Sequence, residues 1–95
     1  MAAYVVVEID VTDPVSYEEY KRRAPASIAD FGGRYLARGG ECQALEGGWQ
    51  PARLVILEFP TTGRARAWWE SGSYADAKAL RHRTARTRMV LIEGV

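Results

Sequence analysis

The sequence predicts an α+β fold in which a four-stranded antiparallel sheet carries its helices on one face. Three observations predict it. The chain has 95 residues and a hydrophobic fraction of 47%, which is enough for one core and too little for two. Apolar runs typical of strands occur near its beginning, middle and end, and helical patterns separate them. The resulting βαββαβ order is the split β-α-β arrangement, so we expect residues 1–95 to form a single domain.

The first strand is predicted over Ala3 to Val11, where β-branched residues dominate. It ends at a turn-forming segment that also begins a helix. Asp13 is a favourable N-cap, and Pro14 suits the first helical position because its missing N–H would have no partner there. A helix is therefore predicted to start at Pro14.

Apolar side chains recur along this helix at spacings of three and four residues. They are Tyr17, Tyr20, Ala24, Ile28 and Phe31. Pro25 cannot donate a hydrogen bond to the carbonyl of Lys21, so a kink or break is expected near Ala24. The pair Gly32-Gly33 then ends the helix.

The second strand is predicted over Arg34 to Leu45, interrupted at Gly39-Gly40. These glycines fit either a hairpin turn or a β-bulge. We favour the bulge, because the stronger turn signal is the segment Glu46 to Pro51. The apolar run Arg53 to Phe59 follows and is interpreted as a second central strand.

Two helical segments follow the third strand. Thr61 or Thr62 can cap the first, which is interrupted at Ser71-Gly72. Ser73 followed by Asp76 resembles a capping box that opens the second.

The last strand is predicted over Arg86 to Val95 and is centred on Met89 to Ile92. Several strands are apolar on both faces, whereas the helices cover only one face of the sheet. A second copy of the same sheet is the simplest cover for the other face. The sequence therefore predicts a homodimer.

Charge and composition exclude several classes of partner. The net charge of +1 gives no overall field to hold a nucleic acid or a membrane surface. No segment approaches the roughly 20 apolar residues that cross a bilayer. Cys42 is the only cysteine, so no intrachain disulfide can form and a reducing cytoplasm is expected.

Several motifs give the chain a specific resemblance over nearly its whole length. They are Tyr35-Leu36-Ala37-Arg38-Gly39-Gly40, Leu45-Glu46-Gly47 with Trp49 and Pro51, Leu57-Glu58-Phe59-Pro60, Trp69 with Ser71, Ser73-Tyr74 with Arg81, and Ile92-Glu93-Gly94. In these motifs the chain resembles the bacterial family known as "domain of unknown function 1330". His82 lies outside the family pattern.

This resemblance implies a ferredoxin-like fold and a dimeric α/β barrel, in which two sheets face each other and a pocket opens between each sheet and its helices. The wider group includes cofactor-independent monooxygenases, lactone isomerases, heme-dependent enzymes and binding modules. The resemblance therefore implies no single activity, and the sequence does not decide whether the protein is an enzyme.

Glu58 is the most unusual residue of the sequence, because it lies within an otherwise apolar strand. An unpaired carboxylate there would cost free energy. In a pocket it would be a candidate general base, with Arg38 as an anchor for an anion or a carbonyl. The alternatives are a structural pair between Glu58 and Arg38, or a carboxylate at the dimer seam.

His82 is the second, weaker catalytic candidate, because it is the only histidine. Its position between two arginines more often indicates a solvated residue near the end of a helix. One histidine, a distant cysteine and scattered carboxylates have no metal-ligand spacing, and heme would depend on His82 alone. We therefore expect neither a metal nor a cofactor.

The adjacent residues Trp68 and Trp69 point about 100° apart on a helix, so only one can be fully buried. The other, like Tyr74, could line a pocket or simply pack. Arg81 belongs to a basic cluster with Arg83, Arg86 and Arg88, which more often indicates a solvated face. Only Arg81 falls within the family-like motifs.

The sequence thus predicts a homodimer with a small pocket between sheet and helices. The expected ligand-binding residues are Arg38, Glu58, Trp69, Tyr74 and Arg81. The pocket would bind a small organic molecule with an anionic or carbonyl group, with or without transforming it in a reaction that needs no cofactor. The alternative is a structural or regulatory oligomerisation module without chemistry of its own.

Overall fold

A computed structural model describes all residues, 1–95, as four strands and three helices. In chain order the elements are β1 (Ala3–Val11), α1 (Pro14–Asp30), β2 (Arg34–Arg38), β3 (Leu54–Phe59), α2 (Thr62–Glu70), α3 (Gly72–Thr84) and β4 (Ala85–Glu93). This arrangement confirms the predicted α+β class.

The four strands form one sheet in the order β2-β3-β1-β4, and every neighbouring pair is antiparallel. The central strand β1 pairs with β3 from Ala3 opposite Phe59 and with β4 from Ala3 opposite Glu93. This is the predicted ferredoxin-like topology.

The core lies between the sheet and the helices, because alternate strand residues point to the same face. In β1 the buried residues are Ala3, Val5, Val7 and Ile9. Val55, Leu57 and Phe59 continue this face in β3, and Trp68, Tyr74 and Ile28 cover it from the helices.

The helix α1 is continuous through Pro25, so the predicted break near Ala24 is wrong. Pro25 does remove the donor that the carbonyl of Lys21 would have in a regular helix. Nη2 of Arg38 replaces it, donating to the Lys21 carbonyl oxygen over 2.7 Å. A side chain from β2 thereby satisfies the acceptor that proline leaves free.

The end of α1 was predicted correctly. The N–H groups of Gly32 and Gly33 donate to the carbonyls of Ala29 and Ile28 at 3.0 and 2.9 Å, which is a Schellman motif. Gly32 has a φ of +76°, a conformation that glycine adopts with little cost.

The strand β2 is shorter than predicted, since it ends at Arg38 rather than Leu45. The pairing of Tyr35 with Leu57 and of Ala37 with Ile56 places a bulge at Leu36, not at Gly39-Gly40. The expected bulge at the glycines is therefore wrong, because Gly39 instead leaves the strand with a φ of +74° and begins a long connection to β3.

The caps of α2 and α3 were predicted in part. Thr61 caps α2 by accepting from the N–H of Arg64. The cap of α3 is Ser71, whose hydroxyl accepts from the N–H of Tyr74 over 3.2 Å, so the expected cap at Ser73 is wrong. None of the three helices combines the length and apolarity needed to span a bilayer.

The face of the sheet turned away from the helices has an apolar centre, and no helix covers it. Val6 and Ile56 occupy its centre, opposite each other in β1 and β3. Val90 and Ile92 in β4 are 57% and 56% exposed. We call this surface the open face.

Candidate functional site

An apolar slot opens between α2 and the sheet, with a volume of about 250 Å³. Its lining consists of Val5, Ala65, Arg66, Trp68, Trp69, Met89 and Leu91. Arg66, the one charged residue here, pairs with Glu70 on the exposed side of α2. The slot therefore suits the apolar body of a small molecule.

A second, much smaller cavity lies deeper, between the sheet and α1. Its volume is about 20 Å³, which is room for about one water molecule. The polar residues that line it are Tyr17, Tyr20, Lys21, Tyr35, Arg38 and Arg53. Trp68 and Met89 line both this inner cavity and the slot, so these two side chains form the wall between them.

Trp68 is held rigidly in that wall. Its ring lies 4.2 Å from the ring of Tyr74 and 5.4 Å from that of Phe59, measured between centroids. Its Nε1 donates to the hydroxyl of Ser27 over 3.1 Å. Trp69 is instead 41% exposed, with the ammonium of Lys78 over its ring, so the predicted division of the two tryptophans is confirmed.

Arg81 is 2% exposed and belongs to no ion pair. Its Nε donates to the hydroxyl of Tyr74 over 3.2 Å, and its Nη1 donates to the hydroxyl of Thr87 over 2.6 Å. Its Nη2 contacts Nε2 of His82 at 3.3 Å. Because a guanidinium remains charged in proteins, this interior holds a full positive charge balanced only by neutral groups.

Tyr20 extends this network toward the inner cavity. Its hydroxyl lies 2.8 Å from the hydroxyl of Tyr74. Burial is the main cause that raises the pKa of Tyr20 far above its ordinary value, and the neighbouring Tyr74 raises it further. Tyr20 is therefore a neutral phenol under all physiological conditions.

Two further arginines reach the helix side of the sheet without a carboxylate partner. Arg38 stacks on the ring of Tyr35 at 4.5 Å and is committed to the Lys21 carbonyl. Arg53 lies 5.8 Å from the ring centroid of Tyr17, and its buried Nε has no hydrogen-bond partner. None of the six ion pairs in the chain includes Arg38, Arg53 or Arg81.

The structure does not bring Glu58 to this site. Val55, Leu57 and Phe59 point to the core, so Glu58 points to the open face. Nε of Arg34 donates to its carboxylate over 2.7 Å, and its side chain is 24% exposed. The expected placement beside the helix-side pocket and the alternative pair with Arg38 are both wrong.

His82 is exposed and lines neither the slot nor the inner cavity. Partial burial and the nearby charges of Arg81 and Lys78 lower its pKa. Its neutral ring can accept a hydrogen bond from Arg81 at Nε2. Its side chain contacts Arg81 and lies outside both cavities.

Of the expected ligand-binding residues, Trp69 lines the slot and Arg38 lines the inner cavity. Tyr74 and Arg81 lie behind the cavity wall and support it. Tyr20, Arg53 and Met89 were not predicted as ligand-binding residues. Tyr20 was recognisable only as one of several inward helix positions, and Arg53 only as the start of a strand.

The open face carries a separate polar cluster. Glu8 accepts from Nε1 of Trp49 over 2.8 Å and from Nε of Arg88 over 2.7 Å. These hydrogen bonds, that of Trp49 first, lower the pKa of Glu8. Trp49 belongs to the β2–β3 connection, so this bond ties the connection to the sheet.

Comparison with known proteins gives a family match and fold-level likenesses. A family model described as "Domain of unknown function (DUF1330)" matches residues 2–95. No curated protein matches the sequence.

Several solved structures share the fold at low sequence identity. A protein of unknown function from Rhodopseudomonas palustris is similar at a TM-score of 0.78 and 15% identity, over 99% of this chain and 82% of that one. SnoaB, described as a cofactor-independent oxygenase from Streptomyces nogalater, has a TM-score of 0.71 and 13% identity, over 99% and 93%. A dimeric ferredoxin-like protein of unknown function from Jannaschia sp. CCS1 has a TM-score of 0.68 and 12% identity, over 99% and 100%.

Proposed function

Because the chain belongs to the family described as "Domain of unknown function (DUF1330)", which assigns no reaction, we propose a function from the chain's own residues. The protein binds a small organic molecule that combines an apolar body with an anionic or carbonyl group. The body occupies the slot between α2 and the sheet, and the polar group points toward the inner cavity. Binding depends only on side chains of this chain, so the proposal needs no cofactor.

The observation that carries the proposal is the charge of the helix-side interior. Arg81 is buried there, at 2% exposure. The partly buried Arg53 and the more exposed Arg38 line the inner cavity, and none of the three has a carboxylate partner. Removing a cation from water without a counter-ion costs free energy. A bound anion or carbonyl oxygen would recover part of that cost, which an apolar ligand would not.

The slot supplies the second part of the site. Its volume of about 250 Å³ approaches the lower end of the range for small-molecule pockets, about 300 Å³. Trp68 and Trp69 are two of its seven lining residues, and aromatic walls favour flat ligands. A body of one or two rings fits this shape.

A second copy of the chain belongs to the same proposal. We infer that residues 1–95 form one domain that pairs through the open face, where Val6, Ile56, Val90 and Ile92 provide a continuous apolar surface. One similar structure is described as dimeric. The helix-side site lies on the opposite face of the sheet, so pairing leaves the slot open.

Filling the slot tests the proposal. A panel of 2-naphthoate, 1-naphthol and 1-tetralone is titrated into the protein, and the melting temperature and tryptophan fluorescence are followed. Ligand linkage should raise the melting temperature for at least one compound. Ala65→Leu adds a side chain inside the slot and should abolish that rise.

Ala75→Leu is the matched control, because Ala75 is exposed on α3 and lines neither cavity. It should bind like the wild type. The proposal is wrong if no compound of the panel binds, or if Ala65→Leu binds as well as Ala75→Leu does.

A further inference from the structure

We propose that the inner cavity is an oxyanion site that takes a single oxygen atom of a phenolate or an enolate. This inference rests on the proposed function and narrows its ligand class. The ring system of the ligand would lie in the slot, and its charged oxygen would pass the wall formed by Trp68 and Met89. Tyr20 and Arg53 are the side chains that would donate to that oxygen.

The hydroxyls of Tyr20 and Tyr74 leave one donor unused. Two phenols carry two O–H hydrogens, but the pair makes one mutual contact, at 2.8 Å, and neither hydroxyl donates to another acceptor. Tyr74 also accepts from Nε of Arg81, which polarises its own O–H toward Tyr20. The free O–H is then that of Tyr20, which lines the inner cavity.

Arg53 supplies a second unused donor. Its Nε is buried and has no hydrogen-bond partner, and the residue lines the same cavity. A buried donor without a partner costs free energy, so an acceptor placed there would be stabilised. Tyr20 and Arg53, each with an unused donor, thus both line the same small cavity.

The charges around the cavity select for negative charge. Every charged residue that lines it is a cation: Lys21, Arg38 and Arg53. Lys21 pairs outward with Glu18 at 3.1 Å, and Arg38 is committed to a backbone carbonyl. No carboxylate lines the cavity, so a bound oxyanion meets no repulsion from its walls.

The volume selects a single oxygen. About 20 Å³ holds about one water molecule, so one oxygen fits and both oxygens of a carboxylate do not. Met89 is the movable part of the wall, because its side chain is unbranched and flexible. Trp68 is fixed by Ser27 and by its aromatic neighbours.

The chemical step in this proposal is ionisation alone. The O–H bond of the phenol or enol breaks, the electron pair stays on oxygen, and the proton leaves to water. The protein donates hydrogen bonds to the product oxygen and accepts no proton. A ligand bound in this way therefore ionises more readily than it does in water.

A chromogenic naphthol measures this directly. The probe is 4-nitro-1-naphthol, whose anion absorbs visible light. Its control is 1-methoxy-4-nitronaphthalene, which has the same ring system but no O–H group to ionise. The absorbance of the bound naphthol is followed against pH. We expect its ionisation constant to rise about tenfold on binding, which is a shift of about one pKa unit.

The two probes separate failure of the site from failure of the oxyanion assignment. If neither compound binds, the proposed function and this inference are both overturned. If both bind equally and the naphthol ionises as it does in water, the slot is a binding site and the oxyanion assignment is overturned.

Tyr20→Phe tests which side chain is responsible. It should leave the affinity for the methoxy compound unchanged. It should also make the ionisation constant of the bound naphthol at least threefold smaller than it is in the wild type. Tyr4→Phe, on the open face, is the matched control and should keep the full shift. An unchanged shift in Tyr20→Phe would overturn the role of Tyr20.

Discussion

The guanidinium of Arg38 donates a hydrogen bond of 2.7 Å to the carbonyl oxygen of Lys21, the carbonyl that Pro25 leaves without a helical donor. The strand β2 thereby completes the hydrogen bonding of α1, and the helix runs through its proline without a break. Arg38 has a structural role that its place in the motif Tyr35 to Gly40 did not reveal.

A double-mutant cycle tests this role. Arg38→Met should lower the free energy of unfolding by about 1 kcal/mol in the wild type, since one charge-assisted hydrogen bond is lost. In the background of Pro25→Ala the cost should nearly vanish, because the restored N–H at position 25 satisfies the carbonyl. Urea unfolding of the four proteins measures the coupling. An equal cost in both backgrounds would contradict the assignment.

Removing the hydroxyl of Tyr74 should be strongly destabilising. Tyr74→Phe leaves Nε of the buried Arg81 without its acceptor and Tyr20 without its partner. Unsatisfied buried groups of this kind cost about 2–3 kcal/mol. Tyr35→Phe is the control, because the Tyr35 hydroxyl makes no hydrogen bond within the chain, and denaturant titration compares the two. Similar losses in both variants would show that the network is unimportant.

A charge on the open face should separate the proposed dimer. Val90→Glu places a carboxylate in the apolar surface, whereas Val15→Glu makes the same change on α1, where Val15 is 84% exposed. Burial of an unpaired charge is costly. Sedimentation velocity should therefore show a monomer for Val90→Glu and a dimer for Val15→Glu and the wild type. A monomeric wild type would refute pairing through this face.

Stability should fall in mild acid because of His82. Partial burial and the charges of Arg81 and Lys78 lower its pKa in the folded protein, so below about pH 6.5 the unfolded chain binds more protons than the folded one. Unfolding is then favoured as the pH falls. Between pH 7.5 and 5.5, the melting temperature of the wild type should fall by more than that of His82→Gln. Parallel profiles would exclude this origin.

Two glycines give a matched test of packing at the end of α1. A Cβ at Gly33 would lie 2.5 Å from Cε1 of Phe59 and 2.7 Å from Cγ2 of Ile28. Gly33→Ala should therefore cost about 1–3 kcal/mol through overpacking. Gly40→Ala meets no atom within 4 Å and should be nearly neutral. Thermal unfolding distinguishes them, and equal stability would argue against a tight contact at Gly33.

The fold was predictable because its signals are local. The β-branched run of β1, the Asp13-Pro14 start of α1 and the Gly32-Gly33 stop each depend on neighbouring residues only, and the structure retains all three. The bulge was misplaced because its position at Leu36 depends on pairing with Leu57 and Ile56, which the sequence of β2 does not contain.

The site was less predictable because its residues meet only in three dimensions. Glu58 lies in a strand that is apolar on both sides, so the sequence pattern did not reveal which face the helices cover. The contribution of Arg53 was not predicted, because an arginine at a strand end usually points to solvent. Its guanidinium lies over the ring of Tyr17 and its Nε is buried, which depends on the packing of α1.

The position of β1 in the sheet also affects when the protein can fold. This central strand is made first, yet its partners begin only at Leu54 and Ala85. A nascent chain therefore holds β1 without a partner strand until β3 has been made, and its second edge stays unpaired until β4 follows. Such distant pairings slow folding, and an apolar strand whose edges are unpaired in the meantime is open to incorrect pairing with other chains.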